Sequence, residues 1–251
     1  MFRIEVRTFH RCPSPDCGLE FVWPQPSDDE LTSAYLENYY SGAAREKCVE
    51  TPTEVYEQVL GLLPSTCRAR ERIAILDVGC ATGGLFDVLP PTWREGYAGV
   101  ETNERARVMA RQRTGRPVVA SIDEACELGP ARWDVTILSQ VIEHLRTPVE
   151  EMAKLRKACA PEGVLLVATP NADCLKRMLL GPRWEQYQQP THLFMFRWSA
   201  LRRCLELAGW TTSERVTTPL HYPDGGAIRN AVRSLLRATG YDGNLTAIAR
   251  A

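Results

Sequence analysis

The chain has 251 residues, 44% of them hydrophobic, and a formal net charge of −1. That length buries one sizeable core with a small appendage, and near-neutrality excludes a global field that would draw in nucleic acid or an anionic membrane. No apolar run approaches the roughly 18 residues of a membrane-crossing helix, and Met1-Phe2-Arg3-Ile4-Glu5 lacks a signal-peptide core, so a cytoplasmic location is expected.

In the first fifty residues, Phe9-His10-Arg11-Cys12 and Cys17 to Pro24 read as two short strands around a turn. Ser27 to Tyr40 reads as a helix capped by Ser27, with acids in its first turn. Residues 1–50 are therefore expected to form a small arm, and 51–251 the main domain. The nine cysteines are scattered and odd in number, which suits small buried hydrophobes in a reducing compartment.

The main domain begins with its most informative segment, Ile73-Ala74-Ile75-Leu76-Asp77-Val78-Gly79-Cys80-Ala81-Thr82-Gly83-Gly84-Leu85. A continuous apolar run suits a strand buried on both faces, and the glycines after it allow positive φ and close approach of a ligand to bare backbone. The spacing is not the GxGxxG of a dinucleotide fingerprint, so the turn alone leaves the cofactor open. Tyr97-Ala98-Gly99-Val100-Glu101 reads as a second strand ending in an acid able to accept hydrogen bonds from both hydroxyls of a ribose. Pro117 to Ala120, Trp133 to Ser139 and Gly163 to Asn171 read as further strands. Pro148 to Ala160 reads as a helix, with Thr147 as N-cap and Val149, Met152 and Leu155 on its apolar face. Arg177 to Gln189 is long and irregular and is expected to be a lid. Ser199 to Ala208 reads as a helix, Gly209 to Val216 and Asn244 to Ala249 as the last strands, and Ala227 to Thr239 as an amphipathic helix with Ile228, Val232, Leu235 and Leu236 on its apolar face. Alternation of strands and helices implies right-handed βαβ units and a parallel, doubly wound sheet.

The segments Asp77-Val78-Gly79-Cys80-Ala81-Thr82-Gly83, Glu101, Ser139-Gln140-Val141-Ile142-Glu143-His144-Leu145, Ala160-Pro161-Glu162-Gly163 and Thr169-Pro170-Asn171, in this order, resemble a class I S-adenosylmethionine-dependent methyltransferase. The resemblance is nearest to the branch of ubiquinone-biosynthesis, sugar and natural-product O-methyltransferases, and covers roughly residues 53–251. It implies a Rossmann-like α/β fold with a seven-stranded, mostly parallel sheet whose final strand is antiparallel, and S-adenosylmethionine as cofactor with S-adenosylhomocysteine as product. Ala81 departs from the pattern, which usually has glycine there.

The resemblance implies cofactor contacts at Asp77 (near the methionine amino group or ordering its loop), Gly79, Cys80, Ala81 and Gly83. It implies ribose binding at Glu101 with Thr102 beside it, adenine contacts at Ser121 and Ile122 with Asp123 as an alternative acid, and further contacts at Ser139 and Gln140. Methyl transfer to oxygen also needs a proton removed, and Glu143, His144 and His192 are the expected catalytic residues, a histidine acting as base. Relatives hold a divalent cation with an ExxEH segment; here the first acid is Gln140, a weak ligand for a hard cation, and no metal is expected. Related enzymes often carry a zinc-ribbon-like arm. The single pair Cys12 and Cys17 leaves a tetrahedral zinc half-coordinated even with His10, so a metal-free remnant over the cofactor cleft is expected, its Tyr35, Tyr39 and Tyr40 serving core packing or a lid. The expected partner is a small-molecule acceptor, with a homodimer possible and nucleic acid disfavoured by the charge. An RNA 2′-O-methyltransferase and a non-catalytic binding protein are the alternatives.

Overall fold

The computed structural model describes residues 2–4, 7–40, 53–129, 132–216, 234–236 and 238–251. In chain order the arm contributes β1 (Phe2–Ile4), β2 (Arg7–Arg11), β3 (Glu20–Val22) and α1 (Asp28–Tyr40). The first half of the main body follows with α2 (Thr53–Gly61), α3 (Ser65–Arg68), β4 (Ile75–Val78), α4 (Leu85–Val88), α5 (Pro91–Arg94), β5 (Tyr97–Val100), α6 (Glu104–Thr114) and β6 (Val118–Val119). After these come α7 (Ile122–Glu127), β7 (Trp133–Ser139), a 3₁₀ turn (Ile142–His144), α8 (Pro148–Ala158) and β8 (Cys159–Pro170). The remainder is α9 (Leu175–Leu180), α10 (Glu185–Gln188), β9 (Phe194–Met195), α11 (Trp198–Leu207), β10 (Thr212–Val216) and β11 (Asn244–Arg250).

Seven strands form one sheet in the order β10-β11-β8-β7-β4-β5-β6. The five from β8 to β6 pair parallel, and β11 runs antiparallel to β8, as expected for the last strand. The chain runs outward from β4 through β5 to β6, then returns to the other side of β4 with β7. This reversal leaves the crevice of a doubly wound sheet at the carboxyl ends of β4 and β7. Among the described residues no helix is long and apolar enough to cross a membrane.

Period-two alternation divides the sheet residues between two cores. Leu76, Val78, Leu138 and Leu165 pack with Met152, Leu155, Leu201 and Leu205 of α8 and α11, whereas Ile75, Ile137 and Leu166 pack with Val59, Leu63, Leu89 and Trp93 on the opposite face. Strands buried on both faces are why their sequences read as unbroken apolar runs.

Three expectations need correction, and a fourth lies mostly outside the described residues. Thr147 stands at the start of α8, but its side chain makes no capping hydrogen bond. The strand expected from Gly163 begins at Cys159, which pairs with Trp133; the ladder then slips to Val135 opposite Val164, so residues 160–163 bulge out of it. Arg177 to Gln189 is not irregular: it forms most of α9, a 3₁₀ turn and α10, because Trp184 and Tyr187 bury against Phe9, Val22 and Met195. Most of the helix expected over 227–239 lies outside the described residues, and Leu235, expected on its apolar face, is 64% exposed.

The arm is built into the body. Strands β1, β2, β3 and β9 form a second, four-stranded sheet, with Glu20 opposite Met195 and Phe21 opposite Phe194. Ser27 and Glu30 close a reciprocal capping box at α1: Glu30 N donates to Ser27 Oγ (3.2 Å) and Ser27 N to Glu30 Oε2 (2.7 Å). The expected boundary between residues 50 and 51 falls outside the described residues.

Leu155 is wholly buried beneath the sheet. Leu155→Ala is expected to cost about 2–5 kcal/mol in a denaturant titration by removing apolar atoms and leaving a cavity.

Candidate active site

The chain leaving β4 turns at once, between the ends of β5 and β7. Gly79 takes φ 74°, and a Cβ there would meet Val141 Cγ2 at 2.4 Å, so only glycine fits. Ala81 (φ 47°) and Gly83 (φ 81°) also adopt the left-handed conformation. That explains why glycine is usual at position 81: a β-carbon there costs about 1–2 kcal/mol. The turn is tied to the next strand, since Gly79 N and Cys80 N donate to Val100 O (2.8 and 3.0 Å) and Ala81 N to Glu101 Oε2 (3.0 Å). The other Glu101 oxygen accepts from Asn103 N at 2.8 Å.

Asp77 is buried, and its Oδ2 accepts from the Tyr97 hydroxyl at 3.0 Å. Burial, only partly offset by this bond, pushes its carboxyl up to about 7, and the neighbouring Glu101 adds to the rise. Cys80 packs its thiol with Ala110 and Val118 and leaves only backbone to the turn. Thr102 is exposed. Ser121 caps α7, accepting from Glu124 N at 3.2 Å, Ile122 is buried, and Asp123 pairs with Lys154 of α8 at 2.8 Å.

Beside this turn, Gln140 also adopts a left-handed backbone (φ 57°), held by its N–H on Ala168 O at 2.7 Å. It swings the chain into the 3₁₀ turn that carries Glu143 and His144. Glu143 is wholly buried; Oε2 accepts from Thr169 Oγ1 at 2.9 Å, and Oε1 has no hydrogen-bond partner. Burial lifts its carboxyl to about 7. His144 Nδ1 lies 2.9 Å from Thr191 O, and His192 Nδ1 lies 3.0 Å from Gln186 O. A carbonyl only accepts, so both Nδ1 atoms are assigned the proton and both Nε2 atoms keep a lone pair. The rings stand edge to face with centroids 4.7 Å apart, and Tyr35 of α1 lies 5.9 Å from His144. The side chains of Tyr39 and Tyr40 lie outside the described residues.

Burial depresses both histidines, His144 to about 4 and His192, with the nearby His144 adding to the effect, to about 3. Ligand atoms of Glu143, His144 and His192 lie within 4.8 Å of one another, the one such group among the described residues. Two imidazoles and a carboxylate can hold a divalent ion of the zinc or iron type better than magnesium, without the acid that Gln140 replaces. Among the described residues of the arm there is no comparable cluster: Cys12 and Cys17 are free thiols, and the His10 ring stacks on Phe21. Sequence reading also missed Thr169 as the partner of Glu143, Tyr97 as that of Asp77, and the two carbonyls that orient the imidazoles; backbone partners leave no residue-type signal.

A doubly wound seven-stranded sheet with a glycine turn after its central strand and an acid at the end of the next defines a class I S-adenosylmethionine-dependent methyltransferase. Comparison with known proteins gives the family: a methyltransferase-domain model matches residues 50–214, and the chain belongs to that family. A Mycolicibacterium smegmatis protein described as a probable S-adenosylmethionine-dependent methyltransferase is 28% identical over 80% of this chain and 70% of its own length. A ubiquinone biosynthesis O-methyltransferase of Caulobacter vibrioides is 28% identical over 53% of this chain and 56% of its own length. Among solved structures, the 1,6-didemethyltoxoflavin-N1-methyltransferase of Burkholderia thailandensis, with bound S-adenosylhomocysteine, matches 100% of this chain and 97% of its own with TM-score 0.59. At 16% identity that likeness shows the fold. The cofactor is S-adenosylmethionine, and the turn fits it: three left-handed residues without bulky side chains present bare backbone at the crevice.

Two expected outcomes follow from this geometry. Ala81→Gly relieves about 1–2 kcal/mol of backbone strain against about 0.4–1 kcal/mol of added unfolded-chain freedom. Its stability by chemical denaturation is therefore equal to wild type or up to about 1.6 kcal/mol higher, and a clear loss contradicts the strain. Both histidine pKa values are depressed in the folded state, so the stability from their neutral burial is complete above about 6.5 and is lost as pH falls toward 4. Melting in chelator from pH 7 to 4 is expected to show a loss that His144→Gln reduces by about 3 kcal/mol.

Proposed function

We propose that the protein methylates an oxygen of a small-molecule acceptor at the Glu143–His144–His192 edge. The carrying observation is the pair of neutral imidazoles, each pinned through Nδ1 to a backbone carbonyl, beside a bare buried carboxylate oxygen at the carboxyl edge of β7. Backbone of Gly79, Cys80, Ala81 and Gly83, with Asp77, Glu101, Thr102, Ser121, Ile122, Ser139 and Gln140, holds the cofactor. When bound, S-adenosylmethionine supplies an electrophilic methyl group on a sulfonium.

The residues supply alignment and a destination for a proton. The acceptor hydroxyl donates to an imidazole Nε2, which orients an oxygen lone pair toward the cofactor crevice, and the proton passes to that nitrogen. A base near 4 is a weak store at neutral pH, and Glu143 compensates: its carboxylate lies within 4.8 Å and stabilises the imidazolium. The Caulobacter relative's O-methyltransferase description supports oxygen as the nucleophile, and the net charge of −1 speaks against an RNA acceptor. A second reading has the same three ligand atoms hold a divalent ion that lowers the hydroxyl pKa; their convergence supports it.

Methyl transfer to a panel of phenolic, quinol and sugar hydroxyls, followed by mass spectrometry, tests the proposal. His144→Ala is expected to lose about 100-fold or more in turnover with unchanged cofactor affinity. A wild-type rate in that variant removes the assignment, and activity lost to a chelator and restored by zinc or iron(II) selects the metal reading. Cofactor binding without transfer to any hydroxyl favours a non-catalytic role. Asp77 gives an independent check: a carboxyl near 7 facing a cationic amino acid is held ionised by it. S-adenosylmethionine is therefore expected to bind more tightly as pH rises from 6 to 8, with proton release detectable by calorimetry in buffers of different ionisation enthalpy, and Asp77→Asn abolishes that release.

A further inference from the structure

We infer that Glu20, on the arm, is a positioning residue for His192, an inference that rests on His192 belonging to the acceptor edge. Glu20 is 3% exposed, and its two carboxylate oxygens take the Arg177 guanidinium and the Tyr187 hydroxyl, with Arg197 Nη2 at 3.6 Å. Arg177 Nε also donates to the Tyr187 hydroxyl at 2.7 Å, so Tyr187 is gripped from both sides. Tyr187 belongs to α10, and the residue before it, Gln186, supplies the carbonyl that accepts from His192 Nδ1.

A helix of four residues does not hold itself, because one turn of hydrogen bonds scarcely offsets the cost of nucleation. The place of the Gln186 carbonyl therefore depends on what fastens α10. The Tyr187 ring packs against Phe9 and Trp184, and the hydrogen bonds of its hydroxyl to Glu20 and Arg177 hold the far end of the side chain in place. Two more arm contacts grip the same segment: Arg7 Nη1 donates to Gln189 O (3.3 Å) and His192 O (3.5 Å), and Val22 N donates to Leu193 O (2.9 Å). The chain of contact runs from Glu20 through Tyr187 and the Gln186 carbonyl to His192 Nδ1. Its product is a single His192 tautomer, protonated on Nδ1.

The full-length protein labelled with nitrogen-15 tests this, using long-range proton–nitrogen correlations of the His192 ring and amide hydrogen exchange over 186–193. In the wild type His192 is expected as the Nδ1–H tautomer. In Glu20→Gln the ring is expected to average between tautomers and amide exchange in the segment to rise about tenfold or more, while S-adenosylmethionine affinity stays within about twofold. A single unchanged tautomer with unchanged exchange overturns the inference. Should Glu20→Gln fail to bind cofactor through misfolding, Tyr187→Phe, which keeps the ring and removes its hydroxyl, is read by the same criteria. These signals need no methyl transfer, so they are separable from the proposed function, which the turnover of His192→Ala tests.

Discussion

The parallel ladder between β4 and β7 is the constraint on which the rest of this molecule hangs. Its register sets Val78 beside Leu138, so the two strands end together and Gly79 emerges next to Ser139. Both chains then turn through left-handed residues: Gly79 and Ala81 on one side, Gln140 on the other. Val141 then fills the space that a side chain at Gly79 would need. The cofactor turn and the acceptor edge are thus one packed unit, and a change in either is felt in the other.

Desolvation gives this edge its chemical character. It raises Asp77 and Glu143 and depresses His144 and His192, so that the acids and the bases are all pushed toward their neutral forms. A crevice without strong fixed charge suits the proposed reaction, which begins from a sulfonium cation and a neutral hydroxyl. Charge is consumed and a proton released, and the site holds groups whose protonation can follow that change.

The body of the fold was legible because its determinants are local and strict. An apolar run ending in Asp77, a turn whose φ values demand glycine at Gly79, and an acid closing the next strand each leave a residue-type signature. Glu143, His144 and His192 were legible as chemistry-bearing residues at the carboxyl edge. The distances between their ligand atoms were not, because these depend on the left-handed backbone of Gln140 and on Leu193 N reaching Glu143 O at 2.9 Å, neither of which has a sequence signal. Arg177 to Gln189 misled for a related reason. Its helices are too short for periodicity to show, and Trp184 and Tyr187 are ordered by contacts with an arm more than 160 positions away, Tyr187 bonding Glu20 at a separation of 167.

The second sheet has a consequence for how the molecule comes into being. Strands β1 to β3 are synthesised first, yet β9, which pairs with β3 on the body side, lies near the far end of the chain. As a ribosome releases the protein, the doubly wound core can gather from neighbouring βαβ units, whereas the arm has no β9 to pair with until Phe194 and Met195 have emerged. Closing so long a loop is slow because its entropy must be lost before any contact compensates. The Glu143–His144–His192 edge is therefore completed only once β9 has emerged, whereas the turn after β4 is held by strands made earlier, and a nascent chain acquires that turn before its histidine pair.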